Sequence, residues 1–173
     1  ELGQKTEALL PHRMKDGYGL TASSVEKILA IKPNLLVTID NGTKSREEIS
    51  RFREAGIDVI VIDHHETPAE ESRPPTVALL NPKSPNAKFQ ERNIASAGLV
   101  FLVLMALRSR LRELGVVPLP NLKRYLDLAC LGTIADIVPL NGTNRLLVKY
   151  GLAEIGETTR PGLKALMELA KVC

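Results

Sequence analysis

Two short apolar runs of this chain each end in an aspartate. Leu35–Ile39 is followed by Asp40-Asn41-Gly42, and Asp58–Ile62 is followed by Asp63-His64-His65. If both runs are parallel strands of one sheet, Asp40 and Asp63 lie at the same rim, where open α/β sheets bind ligands. Carboxylates together with imidazoles suit Mn, Fe or Zn, and with water completing the shell they suit a catalytic metal that activates water. Consecutive residues of a strand point to opposite faces, so His64 and His65 can share one ligand only where the chain turns; Glu66-Thr67-Pro68 can supply that turn. Asp136 is a third candidate, because it interrupts the apolar stretch 129–140, where a charge wants a partner such as a cation. The plainer alternatives are aspartates that cap nearby amides, histidines that are ordinary loop residues, and an Asp136 that ends a helix in solvent. Two strand ends plus a His-His pair favour a metal site, while both readings of Asp136 stay open.

The elements that must position these residues follow from spacing. Helical periodicity predicts a helix over 24–31, and Pro33 lies beyond its end. A helix over 45–55 is predicted between the two runs, with Ser45 and Glu48 as a capping box and Gly56 just past its end. Strand, helix and strand then form a β-α-β unit, which requires parallel strands and a right-handed crossover. Short strands are expected at 6–10 and 77–80, with solvated loops at 66–76 and 82–93. A long helix over 95–114 should end at Gly115. Asn121 is positioned to cap a helix carrying Leu122, Tyr125, Leu126 and Ala129, and further helices are expected at 144–155 and 161–172, the last with Pro161 at its permitted first position. The expected class is α/β, a three-layer parallel-sheet domain over 1–115 that passes into a helical continuation of the same domain over 116–173.

Composition narrows the function classes. The chain has 173 residues, 44% hydrophobic and 25% charged, which fits a folded globular domain. Its longest apolar stretch, 94–107, is shorter than the roughly 20 residues of a membrane span, so no membrane association is expected. Two cysteines make no disulfide framework, which favours a reducing, cytoplasmic location. The net charge of +3 tolerates a polyanionic partner, whereas no Trp, three Phe and three Tyr leave little for extensive base stacking. The chain begins with Glu and reads as a piece of something longer.

Taken in order, Thr38-Ile39-Asp40-Asn41-Gly42, Val61-Ile62-Asp63-His64-His65 and Gly132-Thr133-Ile134-Ala135-Asp136-Ile137-Val138-Pro139-Leu140 resemble the second, third and fourth motifs of the DHH phosphoesterase superfamily. Pro11-His12-Arg13 with Gly17-Tyr18-Gly19-Leu20, Ser96-Ala97-Gly98, Asn144-Arg145 and Arg160-Pro161-Gly162-Leu163 resemble the RecJ-type single-strand-specific DNA exonucleases within it.

The resemblance implies a phosphodiesterase that uses two Mn²⁺ or Mg²⁺ ions and removes nucleotides from the 5′ end of single-stranded DNA, in repair and recombination. It implies that Asp40 bridges the ions, that His64 and Asp136 complete the shell of one, that His65 faces the scissile phosphate, and that Asp63 orients a histidine from behind. Arg13, His12 and Arg160 become candidates for substrate contact, with Arg108 and Arg112 a weaker pair. The family's first motif is expected before Glu1 and its companion domain beyond Cys173, so the second ion is short of ligands and the piece alone is expected to be inactive or very weak. The alternatives are another member of the superfamily, such as an oligoribonuclease, a cyclic-dinucleotide phosphodiesterase or a pyrophosphatase, and a non-catalytic scaffold with the same fold.

Overall fold

A computed structural model describes residues 3–12, 14 and 17–172. Helix α1 (Ala22–Ile31) leads to strand β1 (Leu35–Ile39), helix α2 (Arg46–Glu54), strand β2 (Asp58–Ile62) and strand β3 (Ala78–Leu80). Four helices follow: α3 (Ser96–Glu113), α4 (Leu126–Ala135), α5 (Gly142–Gly156) and α6 (Pro161–Leu169). The strands form one sheet in the order β1-β2-β3, parallel throughout, with Thr38 opposite Val61 and Ile62 opposite Leu80. This is the expected α/β architecture with a helical extension.

Alternation along β2 builds both faces of the core. Val59 and Val61 point to one side and pack with Val25 and Ile28 of α1 and Ile49 and Phe52 of α2. Ile60 and Ile62 point to the other, where Ile94, just before α3, gathers with Leu99 and Phe101 of α3, Ala129 of α4 and Leu147 of α5. Apolar residues at every position from Val59 to Ile62 are what two covered faces require. In β1 this holds on one face only. The sequence reads as a buried strand, yet Leu35, Val37 and Ile39 remain 49%, 43% and 48% exposed, while Thr38 on the opposite face is buried.

Three local expectations are corrected. The segment 6–10 has no partner strand among the described residues and runs as irregular chain. Ser45 makes no capping bond, because its ψ of 56 lies outside the extended range that aims an N-cap hydroxyl at the first turn; Glu47, Glu48, Arg51 and Arg53 instead match the charges of the α2 dipole. The capping box forms at α1, where Thr21 and Ser24 exchange side-chain bonds with each other's amides. Asn121 caps as expected, but the turn it starts, Leu122–Tyr125, is a 3₁₀ turn that precedes α4.

Candidate metal centre

The rim at the carboxyl ends of the strands is assembled by two turns. The Asp40 amide still donates to the Ile62 carbonyl at 2.9 Å, as if β1 continued, but its φ is +64, a left-handed conformation that Asp tolerates. Thr38 Oγ1 donates to the Asn41 carbonyl, and Gly42 follows with φ +104; a Cβ there would stand 2.7 Å from Thr38 Oγ1, so the turn needs glycine. Tyr18 secures it from outside by donating to the Asp40 carbonyl at 2.8 Å.

The second turn is made by Asp63 itself. Its carboxylate is 1% exposed and fully engaged. Oδ2 accepts the Thr43 amide at 3.1 Å, while Oδ1 accepts the His64 amide at 2.8 Å, the His65 amide at 3.2 Å and His65 Nδ1–H at 2.6 Å. Gathering two successive amides onto one oxygen bends the chain within the His-His pair, so the turn comes from Asp63 and not from Glu66-Thr67-Pro68. Both rings therefore face the same rim, 4.9 Å apart edge to face. Burial alone would raise the Asp63 pKa; the bonds from Thr43 and His65 outweigh it and hold the group below the ordinary carboxylate value. An ionised Asp63 can only accept, which puts the His65 proton on Nδ1 and leaves Nε2 facing outward.

Three side chains converge beside it. His64 Nε2 lies 3.3 Å from Asp40 Oδ1 and 3.4 Å from Asp136 Oδ2. Asp136 reaches the rim as the C-cap residue of α4, with its amide on the Gly132 carbonyl and the next residue, Ile137, at φ +58. Asp40 Oδ1 is buried and makes no hydrogen bond of good geometry. His64 lowers the Asp40 pKa, against the effect of burial, and Asp40 in turn raises that of His64, with further help from Asp136. Ligand atoms of Asp40, His64 and His65 all lie within 4.8 Å of one another. An orphaned carboxylate oxygen beside imidazole nitrogens is a donor set that fits a divalent transition ion.

The structure thus brings together Asp40, Asp63, His64, His65 and Asp136. Arg160 sits elsewhere: its Nε donates to the buried Asp127 carboxylate at 2.9 Å, and its guanidinium lies over the Tyr125 ring. His12 is an exposed residue of the irregular segment, and Arg13 lies outside the described residues. Arg108 is turned onto the Pro120 carbonyl and Arg110 onto Glu113. Cys130 is a buried core thiol, its pKa raised by that burial.

Sequence reasoning missed Thr43 and Asn81, and it singled out Ser96 only within the Ser96-Ala97-Gly98 motif, with no role of its own. Asn81 Nδ2 donates to Thr43 Oγ1 at 3.1 Å and to the His65 carbonyl at 2.9 Å, bracing both turns. A signal existed for it: Asn81 follows β3, the third strand to end at this rim. Ser96, buried at the start of α3, stands close enough to Asp40 to help lower its pKa.

The family model for the DHH family, N-terminal domain, matches residues 1–133. The chain belongs to the DHH family. Among its relatives, the single-stranded-DNA-specific exonuclease RecJ of Escherichia coli (strain K12) is 40% identical over 168 residues, covering 94% of this chain and 29% of the relative. RecJ of Thermus thermophilus is 39% identical over 167 residues, covering 96% and 23%. A crystal structure of exonuclease RecJ bound to manganese superposes with a TM-score of 0.79 at 38% identity, covering 93% of this chain and 39% of that one. RecJ of Thermus thermophilus in complex with Mn²⁺ gives 0.70 at 38% identity, covering 85% and 21%. This DHH chain therefore spans less than a third of the length of these curated relatives.

Proposed function

We propose that this DHH chain carries the metal-holding core of a Mn²⁺- or Mg²⁺-dependent phosphodiesterase that degrades single-stranded DNA from its 5′ end. The observation that carries the reading is the convergence of Asp40, His64 and Asp136, with the orphaned Asp40 oxygen between two strand ends. Relatives of 39–40% identity named as single-stranded-DNA-specific exonucleases, and solved relatives holding manganese, favour this over the other phosphoesterases of the superfamily. Work in DNA repair and recombination, in the cytoplasm, goes with that substrate.

Asp40 is assigned as the ligand shared by both ions, and His64 and Asp136 as the further ligands of one. Bound ions would activate water for in-line attack and neutralise the non-bridging phosphate oxygens. His65 is held by Asp63 through Nδ1, so Nε2 is presented in one orientation, toward the place where charge would develop on a bound phosphate. Tyr18, edge-on to the His65 ring at 6.3 Å, restricts that ring from the solvent side. A second reading has a specific observation behind it. His65 belongs to the 4.8 Å cluster, and the Asp63 bond leaves Nε2 with a bare lone pair in the neutral ring, as in a metal ligand.

Calorimetric titration with Mn²⁺ tests both. Asp40→Ala and His64→Ala should abolish measurable binding; unchanged binding would leave a scaffold. His65→Ala should keep the affinity while weakening capture of a phosphorothioate oligonucleotide by the loaded protein, and a loss of Mn²⁺ affinity would instead make His65 a ligand. Because one ligand group forms among the described residues, the chain alone should digest single-stranded DNA weakly at most. Robust Mn²⁺-dependent digestion by it would overturn that expectation.

A further inference from the structure

Asn144 stands in the first turn of α5, away from the strand rim, and is 1% exposed. Its amide nitrogen donates twice, to the Asn93 carbonyl at 2.6 Å and to the Pro139 carbonyl at 2.9 Å. Both neighbours are acceptors, so the orientation of the amide is fixed by its partners and both of its hydrogens are used. Asn93 is followed by Ile94, which is fully buried in the core, and then by the start of α3 with Ser96. Pro139 closes the turn that begins at Asp136.

That turn is strained. Ile137 is β-branched, takes φ +58 and leaves its side chain 89% exposed, so burial offers nothing in return. Such a conformation persists only where the surroundings over-determine it. The other bonds of the turn are local: Ile137 N–H to the Ile134 carbonyl and Asn141 N–H to the Pro139 carbonyl, at 3.1 and 3.0 Å. The Asn144 amide reaches from the turn to a different segment. The same junction is fastened once more by Glu91, whose Oε2 accepts the Thr143 amide at 2.7 Å.

We propose that Asn144 is a positioning residue for the metal centre: its buried amide ties the strained turn after Asp136 to the core segment entering α3, and thereby fixes where the Asp136 carboxylate stands against His64. The inference rests on the assignment of Asp136 as a metal ligand. Aspartate in its place would turn lone pairs toward two carbonyls, and alanine would take the donor from the Asn93 carbonyl and leave Pro139 only its local bond from the Asn141 amide.

The test uses Asn144→Asp, which keeps the side-chain volume, and Asn144→Ala, each alone and combined with Asp136→Asn. Mn²⁺ affinity is read by calorimetry, and amide exchange at Asp136, Ile137 and Val138 is read in the metal-free protein. Each single variant should bind Mn²⁺ about tenfold or more weakly, the usual penalty for losing a residue that orients a ligand. In the Asp136→Asn background the further loss should vanish, and metal-free exchange at the three amides should accelerate. If Asn144→Ala fails to fold, Asn144→Asp carries the same readouts. Equal losses in both backgrounds, or variants that bind as tightly as the parent with unchanged exchange, would overturn the positioning role. A parent chain that binds no Mn²⁺, with exchange still accelerated in Asn144→Asp, would sink the metal assignment and leave the tie between Asn144 and the turn standing.

Discussion

Nε2 of His64 stands between two carboxylate oxygens, and this decides how the site responds to pH. Asp40, and after it Asp136, hold the His64 proton above the ordinary imidazole pKa of about 6.5. In the metal-free protein this pairing contributes stability that is full below the unfolded value and is lost as pH rises through the raised folded value. A metal reverses the preference, since it needs the neutral ring. Mn²⁺ affinity should therefore climb as pH rises through the raised His64 pKa and flatten above it; calorimetry across pH 6 to 9 measures this, and an affinity flat across that range would contradict the assignment of His64 as a ligand. Asp63 works in the opposite sense from the same turn, because its charge is retained and spent entirely on protein donors. Asp and His side by side in sequence thus take different work, one binding protein and the other offered outward.

Among the elements, what sequence made legible was whatever repeats locally. The alternation of β2, the carboxyl-end rule that placed Asp40 and Asp63, and the glycine after α3 are all properties of neighbouring residues. The braces of the site were not legible, because their partners are far along the chain: Thr43 meets Asp63 across 20 residues, Asn81 meets Thr43 across 38, and Asn144 meets Asn93 across 51. Nor does periodicity disclose strain. Ile137 looks like one more apolar residue of the stretch 129–140, yet it occupies a left-handed turn that costs a β-branched residue about 1–2 kcal/mol. Ile137→Gly should consequently stabilise the chain by about 1 kcal/mol, raising the melting temperature by roughly 2–4 °C for a chain of this size. A lower melting temperature would show that the exposed Ile137 side chain contributes more than its backbone costs.

Over the molecule as a whole, two cores on opposite faces of one sheet meet at β2, and the metal centre sits where the ends of β1 and β2 meet the end of α4. Helix α4 carries Asp136 to within 3.4 Å of His64, so the proposed site draws on the helical extension as well as on the sheet. On the far side the balance differs. Among the described residues β1 has a neighbouring strand on one side only, and its outer face shows Leu35, Val37 and Ile39. An open strand edge with an apolar face is a template for pairing with another chain. For the 173-residue chain handled by itself, this means behaviour that depends on concentration: at high concentration copies of it should pair through β1 before any unfolding occurs. Val37→Lys should suppress that self-association in sedimentation velocity, and because the strand ends stay as they are, Mn²⁺ titration should be the same at every protein concentration.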